Sequence, residues 1–349
     1  MQPLAVINAR AAARSEIGGV ERWAREIATR LPTLYPGAYV VARPPPALAY
    51  RAGHAWEQLA LPAMAAARRV PVVLSPANLA PLAWPRNVVV LHDVSTLRHP
   101  EWFGRVYATW QRVLLPTVAH RAARVVTVSE FSRAEIVATM GLDPSRVSVV
   151  AGGVDARFAP GAPLEPARRA LKLERPYVLT VATQGTRKNL GALAPAASAL
   201  AERGVDLVAA GGRRGYLPGA EAARGVRALG YVDDALLPGL YAGAAAFVLA
   251  SRYEGFGLTC LEAMAAGVPV VAADAGALPE TCDGAALLVD LSDAGAVADA
   301  VLTCLDDAAL ADRLRAGGAV RASAFGWDRT ARALHAVVAE VAARGGATR

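Results

Sequence analysis

The chain has 349 residues, 54% of them apolar, and its 37 Lys and Arg against 30 Asp and Glu give a net charge of +7. That length is too great for one ordinary core, so two domains of roughly 150 to 180 residues are expected. Three widely spaced cysteines (Cys260, Cys282, Cys304) without a CxxC exclude a disulfide framework and a Cys–His metal site, and they read as small buried residues. No apolar run is long enough for a spanning helix or a signal peptide, so a cytoplasmic protein is expected. The excess charge, almost all Arg, suits phosphorylated ligands or an anionic membrane surface. Without a Lys/Arg stripe or a known binding module it argues against nucleic acid.

Residues 3–9 (PLAVINA) read as a buried strand. Val20, Trp23, Ile27 and Leu31 then share one face of a helix from Val20 to Leu31, which Pro32 is expected to end. The loop between them finishes at Gly18-Gly19. A glycine pair at a helix N-terminus lets the backbone approach a ligand and aims free amides and the positive dipole end at it, with Arg10 and Arg14 adding charge; plain turn residues are the alternative. Further strands are predicted at 39–43, 70–74, 87–91, 124–128 and 147–150, with a helix near 56–69 and a Pro-rich loop at 43–50. Strands alternating with helices mean a parallel, doubly wound sheet, whose ligands lie beyond the carboxyl ends of the strands. His92-Asp93 stands at such an end, as a ligand residue or as a histidine tied to local backbone. Ser129 reads as the N-cap of the next helix, and Ser132 as structural. Arg98, His99, Trp102, Phe103, Arg105, Tyr107, Trp110 and Arg112 form a basic, aromatic cluster that suits a membrane interface, a glycan, or a core.

A Gly- and Pro-rich stretch after Val150 places a domain boundary near 155–170. A second α/β series follows, with strands at 177–182, 205–210, 226–232, 244–250, 268–273 and 285–289 and helices at about 292–305, 307–318 and 327–344. TQGTRKNL ends the first of these strands and puts Arg187 and Lys188 at the mouth of the sheet, where two cations offset the charge of a pyrophosphate. The stretch VAAGGRRGY (208–216) is a ligand loop or a turn.

The most informative segment is Ser251–Asp274, SRYEGFGLTCLEAMAAGVPVVAAD, which reads strand, loop, helix, strand. Leu258, Leu261 and Ala265 recur at helical spacing, and Gly267 with Pro269 stops a helix expected from 257 to 266. Glu254 precedes this helix and Glu262 lies inside it. The unpaired amides of Phe256, Gly257, Leu258 and Thr259 favour an anion, so the segment looks like a phosphate site flanked by two carboxylates.

Two glutamates eight apart around EGFGL, followed by LEAMA, G and PV, resemble the E-x7-E signature of retaining glycosyltransferase family 4. The resemblance implies the GT-B fold, an α/β arrangement of two Rossmann-like, doubly wound parallel-sheet domains facing each other across a cleft. By the same resemblance 1–160 is the acceptor-binding domain, 161–326 the nucleotide-sugar-binding domain, and 327–349 a helix that crosses back. Glu254 is then expected to contact the transferred sugar, Glu262 the nucleotide ribose, and the backbone of Gly255, Phe256, Gly257, Leu258 and Thr259 the diphosphate. Arg187 and Lys188 resemble the family's diphosphate clamp, Gly18 and Gly19 its donor loop, and Tyr231 and Val232 the segment that borders the base. His92 resembles the histidine that faces the sugar or acceptor.

The implied activity is retaining transfer of a hexose from a nucleotide-diphosphate sugar to a hydroxyl of a glycan, a lipid-linked or a small-molecule acceptor. DVSTLRHPEWF and WEQLALP resemble bacterial members of the family that use GDP-mannose or related sugars on polysaccharide, which implies a donor of the GDP-mannose type, with UDP-hexoses close behind. The absence of an Asp-x-Asp motif fits a reaction without metal or cofactor, and peripheral contact with the inner face of the membrane is an open expectation. An epimerase or phosphorylase of the same fold and a non-catalytic nucleotide-sugar-binding subunit are the rivals. An NAD enzyme is disfavoured, since no G-x-G-x-x-G follows the first strand.

Overall fold

The structure, a computed structural model, describes residues 2–45, 48, 53–217 and 223–344. Half of the predicted 43–50 loop therefore lies outside the described residues. The chain divides into two units: the first is built from Met1–Arg98, Ala108–Gly153 and the chain from Gly326 on, the second from His99–Tyr107 and Val154–Phe325.

In chain order the elements are β1 (Ala5–Asn8), α1 (Gly19–Leu34), β2 (Tyr39–Ala42), α2 (Gly53–Ala67), β3 (Val72–Ser75), β4 (Asn87–Val90), α3 (Ser95–Arg98), α4 (Arg105–Arg121), β5 (Arg124–Thr127), α5 (Glu130–Met140) and β6 (Val147–Val149). There follow α6 (Glu165–Leu171), β7 (Tyr177–Val181), α7 (Ala194–Glu202), β8 (Asp206–Ala210), β9 (Val226–Gly230), α8 (Leu237–Ala242), β10 (Ala246–Leu249), α9 (Leu258–Ala265), β11 (Val270–Ala273), α10 (Leu278–Cys282), β12 (Leu287–Val289), α11 (Ala296–Asp306), α12 (Ala308–Ser323) and α13 (Trp327–Arg344). Each predicted strand is present. Buried parallel strands read as continuous apolar runs, which is why they stand out.

Both sheets are six-stranded and wholly parallel, in the orders β2-β1-β3-β4-β5-β6 and β12-β11-β10-β7-β8-β9. Alternation along each strand feeds two cores. In the second unit Leu179, Val208, Phe247, Val270 and Ala272 face α8 and α9, whereas Val178, Leu207, Val248 and Val271 face α7 and α11. A fully buried side chain of this size contributes about 1.5–3 kcal/mol, so each face is well supported. In the first unit Val6 and Val73 meet Trp56, Leu61 and Ala65 of α2, and on the same face Val89 and Val125 meet Leu115, Val118 and Ala119 of α4. Helix α13 packs on α1, β3 and β4.

Helix ends depart from expectation where side chains intervene. Helix α1 runs through Pro32 to Leu34, because a proline in a last turn removes one intrahelical bond and the helix then ends within two residues. Ser129 does cap α5, its Oγ accepting from the Ser132 amide at 3.0 Å. All three cysteines are free and buried. Among the described residues, no helix is long and apolar enough to cross a membrane.

Candidate active site

In an open α/β sheet a ligand crevice forms where neighbouring strands send their connections in opposite directions. In the second unit that point lies between β7 and β10, adjacent strands whose following elements lie on opposite sides. The loops leaving these two strands carry Arg187 with Lys188 and Glu254. The sequence thus puts its two cations and a carboxylate at one place.

After β7 the chain makes a 3-10 turn, Thr186–Lys188, with Lys188 N–H bonded to Gly185 O at 3.0 Å. The Arg252 amide donates to Arg187 O at 2.9 Å and joins this turn to the loop after β10. Lys188 Nζ donates to Glu254 Oε1 at 2.5 Å, and Arg187 Nη1 lies 3.4 Å from Oε2 while donating to Tyr253 O at 3.1 Å. Glu254 is only 7% exposed. Burial by itself would raise its carboxyl pKa, but the charge of Lys188 and then that of Arg187 outweigh burial and hold it below the usual carboxylate range. Glu254 is therefore ionised at neutral pH. Two cations thus converge on this one carboxylate.

Two glycines fix the main chain around this carboxylate. Gly257 caps α9 at φ +99°, and a Cβ there would meet Leu278 Cδ2 at 2.7 Å. Gly276 has φ +60°, and a Cβ would fall 2.6 Å from Glu254 O, while the Ala277 amide donates to that same oxygen at 2.9 Å. Gly276 and Ala277 were missed by the sequence reading; a glycine between the VPVVAAD strand and the LPE helix start is the signal that points to them. The first turn of α9 is tight, with Cys260 N–H bonded to Gly257 O at 3.0 Å, and Thr281 Oγ1 donates to Phe256 O. The observed helix is one residue shorter at each end than predicted. Leu258 and Thr259 occupy its first turn, where amides have no intrahelical acceptor.

Glu262 is 3% exposed and its Oε2 accepts from Tyr241 Oη at 2.9 Å. Tyr231 and Val232 follow β9, the edge strand three places from β10. Tyr231 is 42% exposed, but the Val232 side chain is in the core, so only its backbone could border a base.

In the first unit the expected constellation is partly rearranged. Gly18 is extended and Gly19 opens α1, but the Gly18 amide is taken by Glu21 Oε2 at 3.0 Å in a capping arrangement, so it is not a free donor. The same carboxylate receives Arg14 Nη1 at 2.8 Å. Arg10 is buried against Glu57 at 3.4 Å, so its charge is neutralised there rather than offered at the loop. His92 does stand just beyond β4. Its amide donates to Asn78 Oδ1 at 2.9 Å, its Nε2 lies 3.0 Å from Pro76 O, and Trp23 packs edge-on at 5.6 Å. A carbonyl partner makes Nε2 the protonated nitrogen, which leaves Nδ1 as acceptor. Burial pushes the pKa of this imidazole down, so it is neutral at pH 7.

The aromatic, basic cluster predicted around 98–112 does not form one surface. Trp102 and Phe103 are buried, and His99 stacks on Trp102 at 3.9 Å. Trp110 instead meets His54 of α2 at 4.8 Å. Among the described residues no group of three or more His, Cys, Asp or Glu is arranged to hold a metal ion.

Comparison with known proteins gives two matches that cover most of the chain. The profile described as Glycosyltransferase Family 4 matches residues 17–158, and that described as Glycosyl transferases group 1 matches 175–307. O-antigen chain mannosyltransferase B of Escherichia coli is 32% identical over 265 residues, 70% of this chain and 67% of that protein. A D-inositol 3-phosphate glycosyltransferase of Salinispora tropica is 36% identical over 255 residues, 65% of this chain; the chain spans only about half of that relative, 52%. Sucrose-phosphate synthase of Thermosynechococcus elongatus superposes with a TM-score of 0.75 at 21% identity, covering 99% of this chain and 100% of that one, and shows the same fold.

Proposed function

The chain belongs to glycosyltransferase family 4, with the group 1 glycosyl transferase module in its second half and the two-domain GT-B fold, and on that premise we propose that it transfers a hexose with retention from a GDP-mannose-type donor to a hydroxyl of a glycan or lipid-linked acceptor. One observation carries the reading: Arg187, Lys188 and Glu254 converge where the connections leaving the paired strands β7 and β10 part to opposite sides of the sheet. Breaking the bond between the anomeric carbon and the diphosphate builds negative charge on phosphate and positive charge on the sugar. Arg187, Lys188 and the first-turn amides of α9 serve the phosphate, and the ionised Glu254 serves the sugar. The leaving phosphate accepts the acceptor's proton on the same face, so neither glutamate acts as nucleophile. His92, neutral with Nδ1 as acceptor, takes a hydrogen bond from a hydroxyl of the acceptor on the first unit. The reaction needs no metal and no cofactor besides the donor, and the base lies along the backbone at Tyr231 and Val232.

The mannosyltransferase relative supports the donor assignment. The inositol phosphate relative favours a second reading, a small phosphorylated acceptor. Incubating the purified protein with GDP-mannose or UDP-glucose, with and without glycan or inositol phosphate, decides between them by release of nucleoside diphosphate. GDP release that depends on a glycan is expected, with the α-anomeric configuration of the donor kept in the product. Release from UDP-glucose alone would move the donor to the UDP-hexose alternative, and no release with any pair would overturn the transferase assignment.

Acceptor presentation from a lipid surface has its own structural support. The outward faces of α2 and α4 expose Leu59 (73%), Val113 (70%) and Trp110, and Arg105, Arg112 and Arg121 of α4 are exposed as well. Glu57, the sole acid of α2, is buried, and α4 has none. Helices that expose apolar side chains and cations but no acid fit an anionic interface. The protein is expected to sediment with vesicles of phosphatidylglycerol and phosphatidylcholine (1:1) at low salt, but not with phosphatidylcholine alone. Leu59→Glu with Val113→Glu should abolish this; unchanged sedimentation of that variant would place the contact elsewhere.

A further inference from the structure

A glutamate in mid-helix ordinarily lies on the solvent face. Glu262, in the second turn of α9, is instead turned inward to α8, where Tyr241 Oη donates to its Oε2 at 2.9 Å. Tyr241 is itself fully buried. Phe158 packs edge-on to its ring at 5.5 Å and Phe247 lies tilted against it at 5.6 Å, so the phenol is held in place by its packing. A charge-assisted hydrogen bond from a fixed donor sets the plane in which the carboxylate lies. Each carboxylate oxygen has two lone-pair directions, so Oε2 can serve Tyr241 and still receive another hydroxyl.

We propose that Tyr241 is a positioning residue, which presets the Glu262 carboxylate for the two ribose hydroxyls of a nucleoside diphosphate. The inference rests on the assignment of Glu262 to the ribose. Two vicinal hydroxyls meet two carboxylate oxygens only over a narrow range of rotation, and Tyr241 acts through that rotation without touching the donor. Its effect is confined to ligands that carry the hydroxyls.

The test is calorimetric titration of the full chain with GDP and UDP and with their 2′,3′-dideoxy forms. For the nucleotide that binds, the ribo form is expected to bind at least tenfold more tightly, as hydrogen bonds to a charged group imply. In Tyr241→Phe that preference should shrink to about twofold, with affinity for the dideoxy form unchanged. Glu262→Gln should give the same collapse, and the double variant no more, because the two side chains act as one unit. Tyr177→Phe is the control. Its phenol donates to Leu240 O at 2.8 Å, one residue before Tyr241, so it removes an equally buried bond in the same packing without reaching the carboxylate. A Tyr241→Phe protein that keeps the preference, or a Tyr177→Phe protein that loses it, overturns the positioning role. A wild-type protein with no preference overturns the ribose assignment of Glu262 instead.

Discussion

Glu254→Ala is expected to lower sugar transfer by about a thousandfold, the loss that follows when a charged group is removed from its place beside the reacting atoms. The fold should survive, because the main chain at this position is held by Ala277 N–H and backed by Gly276 independently of the side chain. The partners left behind, Arg187 and Lys188, are partly exposed and can turn to solvent. Measuring kcat with donor and acceptor, alongside the melting temperature, checks both halves of the expectation. Wild-type turnover in a folded Glu254→Ala protein would remove this residue from the chemistry.

Lys188→Ala carries the second large effect, a fall in kcat of about a hundredfold, since one of the charges proposed to meet the leaving diphosphate is gone. It has a pH signature as well. In the native protein the Glu254 carboxyl is held below its ordinary value, against its own burial, chiefly by Lys188. A depressed carboxyl stabilises the fold above its unfolded-state pKa, and this contribution is lost as pH falls through the lower native value. Without Lys188 the strongest of the influences that oppose burial is gone, and the carboxyl pKa rises from its native value. The acid limb of kcat/KM should therefore move to higher pH in Lys188→Ala, while mild acid should cost that variant less of its neutral-pH stability than it costs wild type, because the carboxyl is no longer held so far below its unfolded-state value. An acid limb that stays in place would mean that Lys188 does not control Glu254.

Much of this was legible in the sequence, for reasons that differ by element. The strands announce themselves because both faces of each sheet are covered, as Val178 and Leu179 on opposite cores show. EGFGL and RKN were readable because short-range spacing decides where they sit: just beyond strand ends. What was hidden depends on partners distant in the chain. Nothing near Glu254 announces that Gly276 stands behind it, and nothing near Glu262 points to Tyr241. The Gly18 amide looked free because a capping carboxylate at Glu21 and a solvated one have the same sequence. Arg10 looked like an exposed cation for the same reason, until Glu57 of α2 is brought to it.

The register of the edge strand β9 against β8 shifts by one residue at Ala209/Ala210. The loops after β7 and β10, by contrast, are locked to each other and to the turn before α10. Chemistry and proposed base selection thus rest on parts of one sheet with unequal tolerance for change. On the proposed assignment, a lineage, or an engineer, can exchange the segment after β9 to accept a different nucleotide while the Arg187–Lys188–Glu254 cluster keeps its geometry. Insertions between β11 and α10, though distant in sequence from Glu254, would disable the protein at once.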